Sequence, residues 1–179
     1  SRFIPSVPGY LYGVKDNNIY VNLFAGNTST IKVNGKDVVL EETTEYPWNG
    51  DIKIAVKKSG VKNANLLVRI PGWVRNQVVP SDLYKYSDAE KPAYSVTVNG
   101  KAVEADLDAN KGYLPVKNIK KGDVIRIHFD MPVRTVVANA KVADDNDKIA
   151  VERGPLVYCA EAVDNSNEPV LHAVMPEKP

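Results

Sequence analysis

One pattern governs what this chain can fold into: apolar and polar residues alternate with a period of two, in runs broken by turn residues. "DIKIAVK" (51–57) sends Ile52, Ile54 and Val56 to one face and Lys53, Ala55 and Lys57 to the other. "DVIRIHFD" (123–130) sets Ile125, Ile127 and Phe129 against Arg126 and His128. Successive side chains of a strand point to opposite faces, so each run buries one face of a sheet and wets the other. Further strands are predicted at 18–24, 29–33, 36–42, 66–70, 94–98, 101–105, 134–138, 148–152 and 155–161. "VNGK" occurs twice between such runs, at 33–36 and 98–101. Asn-Gly suits the type I′ turn, which needs positive φ at both central residues, so each copy predicts a tight hairpin. Lys121-Gly122-Asp123 and Trp48-Asn49-Gly50-Asp51 each introduce another strand. Short strands at regular spacing predict an all-β fold, an antiparallel β-sandwich. The residues flanking the two "VNGK" copies match weakly, so shared hairpin chemistry accounts for them better than an internal repeat.

At 179 residues the chain can bury a core without staples, as one large domain or two small ones. Its 23 basic and 22 acidic residues nearly cancel and form no dominant basic cluster, which argues against a nucleic-acid groove or an anionic membrane surface as partner. No apolar run approaches the roughly 18 residues that span a bilayer. Asn27-Thr28-Ser29 matches a glycosylation sequon and reads as a polar loop. Two segments break the rhythm. Residues 75–93 are polar, hold two prolines and predict a long surface loop or insertion. Residues 1–12 predict a helix end limited by Pro5 and Pro8, an abrupt opening that reads as mid-structure.

Chemistry is sparse. Cys159 is the lone cysteine, set in "PLVYCAE" (155–161) among apolar neighbours, with Glu161 on its own face. A reactive thiolate wants cationic, partly exposed surroundings, so Cys159 is expected to be a buried strand residue. His128 and His172 are expected to be solvated. "ADDND" (143–147) lacks the glycine of a calcium loop and predicts a solvated turn. Glycoside hydrolysis needs two carboxyls about 5 to 10 Å apart, and among 22 acids the sequence nominates no pair. Trp48, Trp73, Tyr46, Tyr84, Tyr86, Tyr94 and Tyr113 could form a sugar-stacking platform. Trp48 and Trp73, beside Pro47 and Pro71-Gly72, are expected instead to plug the sandwich core or a domain interface. Tyr84 and Tyr86, in the polar insertion, are the better exposed candidates. Two function classes stay open: an accessory domain of a larger enzyme, or a free-standing carbohydrate-binding module. A pure interaction domain is a third.

Six phrases in order, "GYLYGVKDNNIYVNLF" (9–24), "YPWNGD" (46–51), "LLVRIPGWV" (66–74), "GYLPV" (112–116), "KGDVIRIHFDMPVR" (121–134) and "IAVERGPLVYCAEAVDN" (149–165), together resemble the post-catalytic region of glycoside hydrolase family 127, the β-L-arabinofuranosidase-type enzymes. The resemblance implies an (α/α)6-barrel catalytic domain followed by β-sandwich domains, a zinc-bound cysteine nucleophile and a glutamate acid/base. The nucleophile lies in a Cys-Cys pair that this chain does not contain, so no catalytic or metal residue carries over and no cofactor is expected here. Cys159 resembles the cysteine of the family's "GPLVYC" strand, which is not the nucleophile. The implied organisation is a remnant of the barrel's last helix at 1–12, a β-sandwich over 13–131, and further strands over 132–179 that begin a second β-segment and end in a tail. Implied partners are the barrel itself, a homodimer mate or carbohydrate. Export to the periplasm or outside the cell follows if the parent degrades polysaccharide.

Overall fold

The structure, a computed structural model, describes residues 3–173. Its strands are β1 (Tyr12–Lys15), β2 (Asn18–Val21), β3 (Asn27–Val33), β4 (Lys36–Thr44), β5 (Asp51–Ser59), β6 (Asn65–Arg69), β7 (Tyr84–Tyr86), β8 (Tyr94–Val98), β9 (Lys101–Ala102), β10 (Tyr113–Val116), β11 (Val124–Phe129), β12 (Val133–Ala138), β13 (Ile149–Arg153) and β14 (Leu156–Tyr158). They form a six-stranded sheet, β3-β4-β5-β11-β8-β9, and two four-stranded sheets, β1-β2-β6-β10 and β14-β13-β12-β7. All pairings are antiparallel except β2 with β6, which run parallel.

The all-β sandwich predicted from alternation is what forms. Val38 and Leu40, Ile52, Ile54 and Val56, and Ile125, Ile127 and Phe129 are the buried faces of β4, β5 and β11. They share one apolar cluster with Ile19, Val21, Leu66, Val68, Leu114 and Val116 of the smaller sheet. Burying a side chain of this size contributes about 1.5–3 kcal/mol. The cluster also pins register, because a slip of one residue would turn each set to solvent. Both "VNGK" turns adopt the conformation that their chemistry demands: φ is 48° and 75° at Asn34-Gly35, and 50° and 82° at Asn99-Gly100. Gly50 has a different reason to be glycine. A Cβ there would lie 1.9 Å from the carbonyl oxygen of Phe129, so the backbone entering β5 presses directly on the end of β11.

Several expectations need correction. The segment 75–93 is not an unstructured loop: it supplies β7, whose residues pair with Val136, Val137 and Ala138 of β12. Three residues carry no legible period, and their conformation is set by the partner strand. β10 contains Pro115, which argues against a central strand; it sits at the sheet edge, where the missing amide is tolerated. The sequon residue Asn27 opens β3 and donates to Ala25 O at 2.7 Å, so it is not in a polar loop. The runs at 101–105 and 155–161 shrink to β9 and β14.

Residues 4–10 form a 3-10 helix with Pro8 inside it and no buried side chain. The prolines remove amide donors, which favours the tighter, shorter form. "ADDND" is an exposed 3-10 turn, Ala143–Asp145, between β12 and β13. Residues 159–169 are exposed, with short 3-10 turns at Ala162–Asp164 and Val170–His172. The expectations for the His172 side chain and for the tail past residue 173 lie outside the described residues.

Candidate functional site

The sandwich and the third sheet meet at a cleft of about 730 Å³. Its inner wall is aromatic. Phe24, held by the β2–β3 connection, packs edge-on against Tyr46, with ring centres 5.6 Å apart. Phe129, at the end of β11, takes Phe24 at 5.7 Å and Trp73 at 5.8 Å. Trp73 Nε1 donates to the Tyr46 hydroxyl at 3.3 Å. Burial lifts the Tyr46 phenol above its ordinary pKa, so this hydroxyl stays protonated. Trp73 follows a tight entry: a Cβ on Gly72 would come within 2.9 Å of Gln77 O. Arg69, Arg75, Asn22 and Glu152 give the cleft a polar rim, and Val7, Leu23, Val79, Pro155 and Val157 give it apolar lips.

Behind the cleft a buried polar network ties the third sheet to the sandwich. Arg134, on the inward face of β12, is 6% exposed. Its Nη2 donates to Asp88 Oδ1 at 2.7 Å and to Asn76 Oδ1 at 2.6 Å, and its Nε donates to Asp88 Oδ2 at 3.3 Å. The guanidinium lies over the Tyr86 ring, 3.4 Å from the centroid. The Tyr86 hydroxyl donates to Glu152 Oε2 at 3.0 Å, and Glu152 is the ladder partner of Arg134. Burial first, then the charge of Glu152, drives the Tyr86 phenol far above its ordinary range.

A second buried acid lies inside the sandwich. Glu42 continues the inward series of Val38 and Leu40 on β4 and is 3% exposed. It accepts from the Tyr12 hydroxyl at 3.0 Å and from Ala25 N at 3.0 Å. No cation pairs with it among the described residues. Burial raises its pKa to about 7 against an ordinary 4.5, the hydrogen bonds from Tyr12 and Ala25 opposing. The alternation of "KDVVLEE" already put Glu42 on the core face, as "RTVVA" put Arg134 beside Val136. Both signals were there and pointed to buried polar groups.

The aromatic candidates are not gathered on one platform. Trp73 is buried, as expected, but Trp48 is 70% exposed and does not plug the core. Its turn follows the cis Tyr46-Pro47 bond and is held by its backbone, the Trp48 amide donating to Glu45 O at 2.8 Å and its carbonyl accepting from Arg153 Nη1 at 3.1 Å. Tyr86 lies buried beneath Arg134. Tyr84 is half-buried with its hydroxyl donating to Asp145 Oδ2 at 2.9 Å, so neither tyrosine is a free stacking face. Tyr94 is half-buried against the core, and Tyr113 donates to Asn22 Oδ1 at 2.8 Å. Cys159 is exposed, contrary to expectation. β14 ends at Tyr158 as the edge of its sheet, so among the described residues no strand pairs with the position beyond it and the thiol stays exposed. His128 is exposed as expected, between Asp51 and Asp130. The resemblance places its zinc in another domain, and the residues here do not fit one: among the described residues no group of three His, Cys, Asp or Glu is arranged to hold a metal ion, and the Cys159 thiol lies near Ala160 O.

Geometry defines the class, a β-sandwich with an appended sheet and an aromatic cleft at their junction. Comparison with known proteins supplies the family. Residues 18–131 match the model described as "Beta-L-arabinofuranosidase, GH127 middle domain", and residues 133–178 match the "Glycoside hydrolase family 127 C-terminal domain". A non-reducing end beta-L-arabinofuranosidase of Bifidobacterium longum subsp. longum is 32% identical over 175 residues, covering 94% of this chain and 23% of that protein. A solved GH127 beta-arabinofuranosidase superposes with a TM-score of 0.85 at 52% identity, over 91% of this chain and 25% of its own. A GH127 beta-L-arabinofuranosidase from Geobacillus stearothermophilus T6 gives 0.73 at 30% identity, over 92% of this chain and 23% of its own. The chain belongs to glycoside hydrolase family 127, and it spans about a quarter of the length of these relatives.

Proposed function

We propose that this chain is the non-catalytic β-region of a β-L-arabinofuranosidase-like glycoside hydrolase, and that its cleft braces a catalytic domain carried elsewhere on the same polypeptide. On this reading, the zinc, its cysteine ligands and the catalytic glutamate belong to that other domain, and residues 1–12 lead out of its last helix. The middle sandwich covers 13–131, and residues from 132 onward begin the second β-segment.

One observation carries the reading: several apolar side chains that no layer covers gather at the cleft and at the segment leading to it. Phe3 and Ile4 of the leading 3-10 segment are 66% and 70% exposed, and Val157 on the lip is 65% exposed. Val7 and Leu23 continue the same wall. Exposed apolar surface rimmed by polar groups marks an interaction face. The relatives are about four times longer than this chain, which supplies an occupant of the right size.

The test is Val157→Asp made both in the isolated chain and in the full-length polypeptide. The isolated chain should melt within a degree or so of wild type, because Val157 is already exposed. The full-length protein should lose several degrees and some arabinofuranosidase activity. Equal melting in both contexts would overturn the bracing role. Hydrolysis of a β-L-arabinofuranoside by the isolated chain would overturn its non-catalytic assignment.

A further inference from the structure

Two cations stand directly opposite one another on the outer face of the six-stranded sheet. Arg126 of β11 is in register with Lys53 of β5. Lys53 is in register with Thr43 of β4, and Arg126 with Thr97 of β8. The row Thr43, Lys53, Arg126, Thr97 thus crosses four strands, roughly 14 Å at the usual strand spacing. In the neighbouring row Asp51 faces His128, which faces Ser95. Together these residues line an open trench of about 370 Å³.

Like charges directly opposed across a ladder destabilise it. Elsewhere on this sheet three lysines have carboxylate partners: Lys32 and Lys58 share Asp37, and Lys57 meets Glu41. Lys53 and Arg126 make no ion pair among the described residues. The nearby carboxylates are already engaged: His128 Nδ1 lies 2.7 Å from Asp51 Oδ1, and Nε2 lies 3.1 Å from Asp130 Oδ1. Hydrogen bonding to Asp51, opposed by desolvation and helped by Asp130, raises the His128 pKa.

We infer that this trench is a binding site for a uronic-acid oligosaccharide, with a uronate carboxylate between Arg126 and Lys53 and the sugar hydroxyls at Thr43, Thr97 and Ser95. The guanidinium fork matches a carboxylate in two parallel hydrogen bonds. Hydroxyl side chains on either side both donate and accept, as sugar hydroxyls do. The row is longer than a single ion needs. The anion half of the inference rests on the ladder alone, and the saccharide half rests on the proposed role in a glycoside hydrolase.

The experiment is a titration of the purified chain with digalacturonate, maltose and sodium sulfate, followed by calorimetry and by amide shifts. Digalacturonate should saturate the protein and shift amides of β5, β8 and β11. Arg126→Ala and Lys53→Ala should each weaken it at least tenfold, and Thr97→Val severalfold. Maltose and sulfate should bind at least tenfold more weakly. Arg126→Ala should also raise the Tm of the unliganded chain, since it removes one of two opposed cations. No saturable digalacturonate binding, or affinity unchanged in Arg126→Ala, overturns the site. Sulfate binding as tightly as digalacturonate overturns the saccharide. None of these outcomes alters the Val157→Asp comparison, so the two proposals fail separately.

Discussion

The sandwich and the third sheet are built from similar strands but held in different ways. In the sandwich nearly every inward position is aliphatic or aromatic, and register follows from burial. In the third sheet the inward positions of β12 and β7 are Arg134, Val136 and Tyr86, and order depends on a guanidinium, a phenol and two carboxylates. Its remaining strands are open: Ile149, Val157 and Tyr158 are exposed, as is Val133 at the start of β12. A sheet that buries little apolar surface relies on directional contacts, and each of these is costly to break singly. The difference sets a sandwich closed by its own apolar core against a third sheet that buries little apolar surface of its own.

Substitutions test that contrast. Phe129→Ala removes the ring that Phe24, Tyr46 and Trp73 pack against, and should cost about 3–5 kcal/mol by denaturant melts, with hydrogen exchange rising throughout the six-stranded sheet. Arg134→Ala leaves Asp88 without its buried cation and uncovers the Tyr86 ring, and should cost about 3 kcal/mol. Its loss of protection should be confined to β7 and β12–β14. Equal loss in β4 and β5 would mean that the two regions unfold as one, and the contrast would fail.

Glu42 is the polar exception within the sandwich and sharpens the comparison through pH. Its folded pKa lies above its unfolded value, so its contribution is fully present below about 4.5 and is lost as pH rises through about 7. A change of this size amounts to roughly 3 kcal/mol at most. Unfolding free energies at pH 5 and pH 8 should therefore differ more in wild type than in Glu42→Gln, which stays neutral throughout. The smallest effect is expected at Cys159: exposed at a strand end, Cys159→Ser should change stability by less than about 0.5 kcal/mol. Iodoacetamide should label the native thiol as readily as the unfolded one. Slow labelling would show that the end of the third sheet is covered.

The sandwich was legible because its signals are local: period-two runs and Asn-Gly turns state strand, face and connection within a few residues. Of the third sheet, β12, β13 and β14 were legible from the same alternation, but β7 and the contacts that hold the sheet were not, because those contacts are long-range. Tyr86 and Glu152 are 66 positions apart, and Arg134 and Asn76 are 58. Nothing near Tyr86 announces a guanidinium above its ring, so a polar segment with two prolines reads as loop. Cys159 misled for the converse reason. Its neighbours are apolar on both sides, and apolar neighbours bury a residue only where a second layer exists to meet them.

β7 comes from the stretch between β6 and β8, whereas its sheet-mates follow β11. The polypeptide therefore visits the third sheet, returns to complete the sandwich, and leaves again. Dividing the gene near residue 132, where one family model gives way to the next, would strand β7 with the wrong half. Neither product would be whole: the front half would carry an orphaned hairpin arm, and the back half an unprotected edge. For this molecule the smallest unit worth expressing is both segments together.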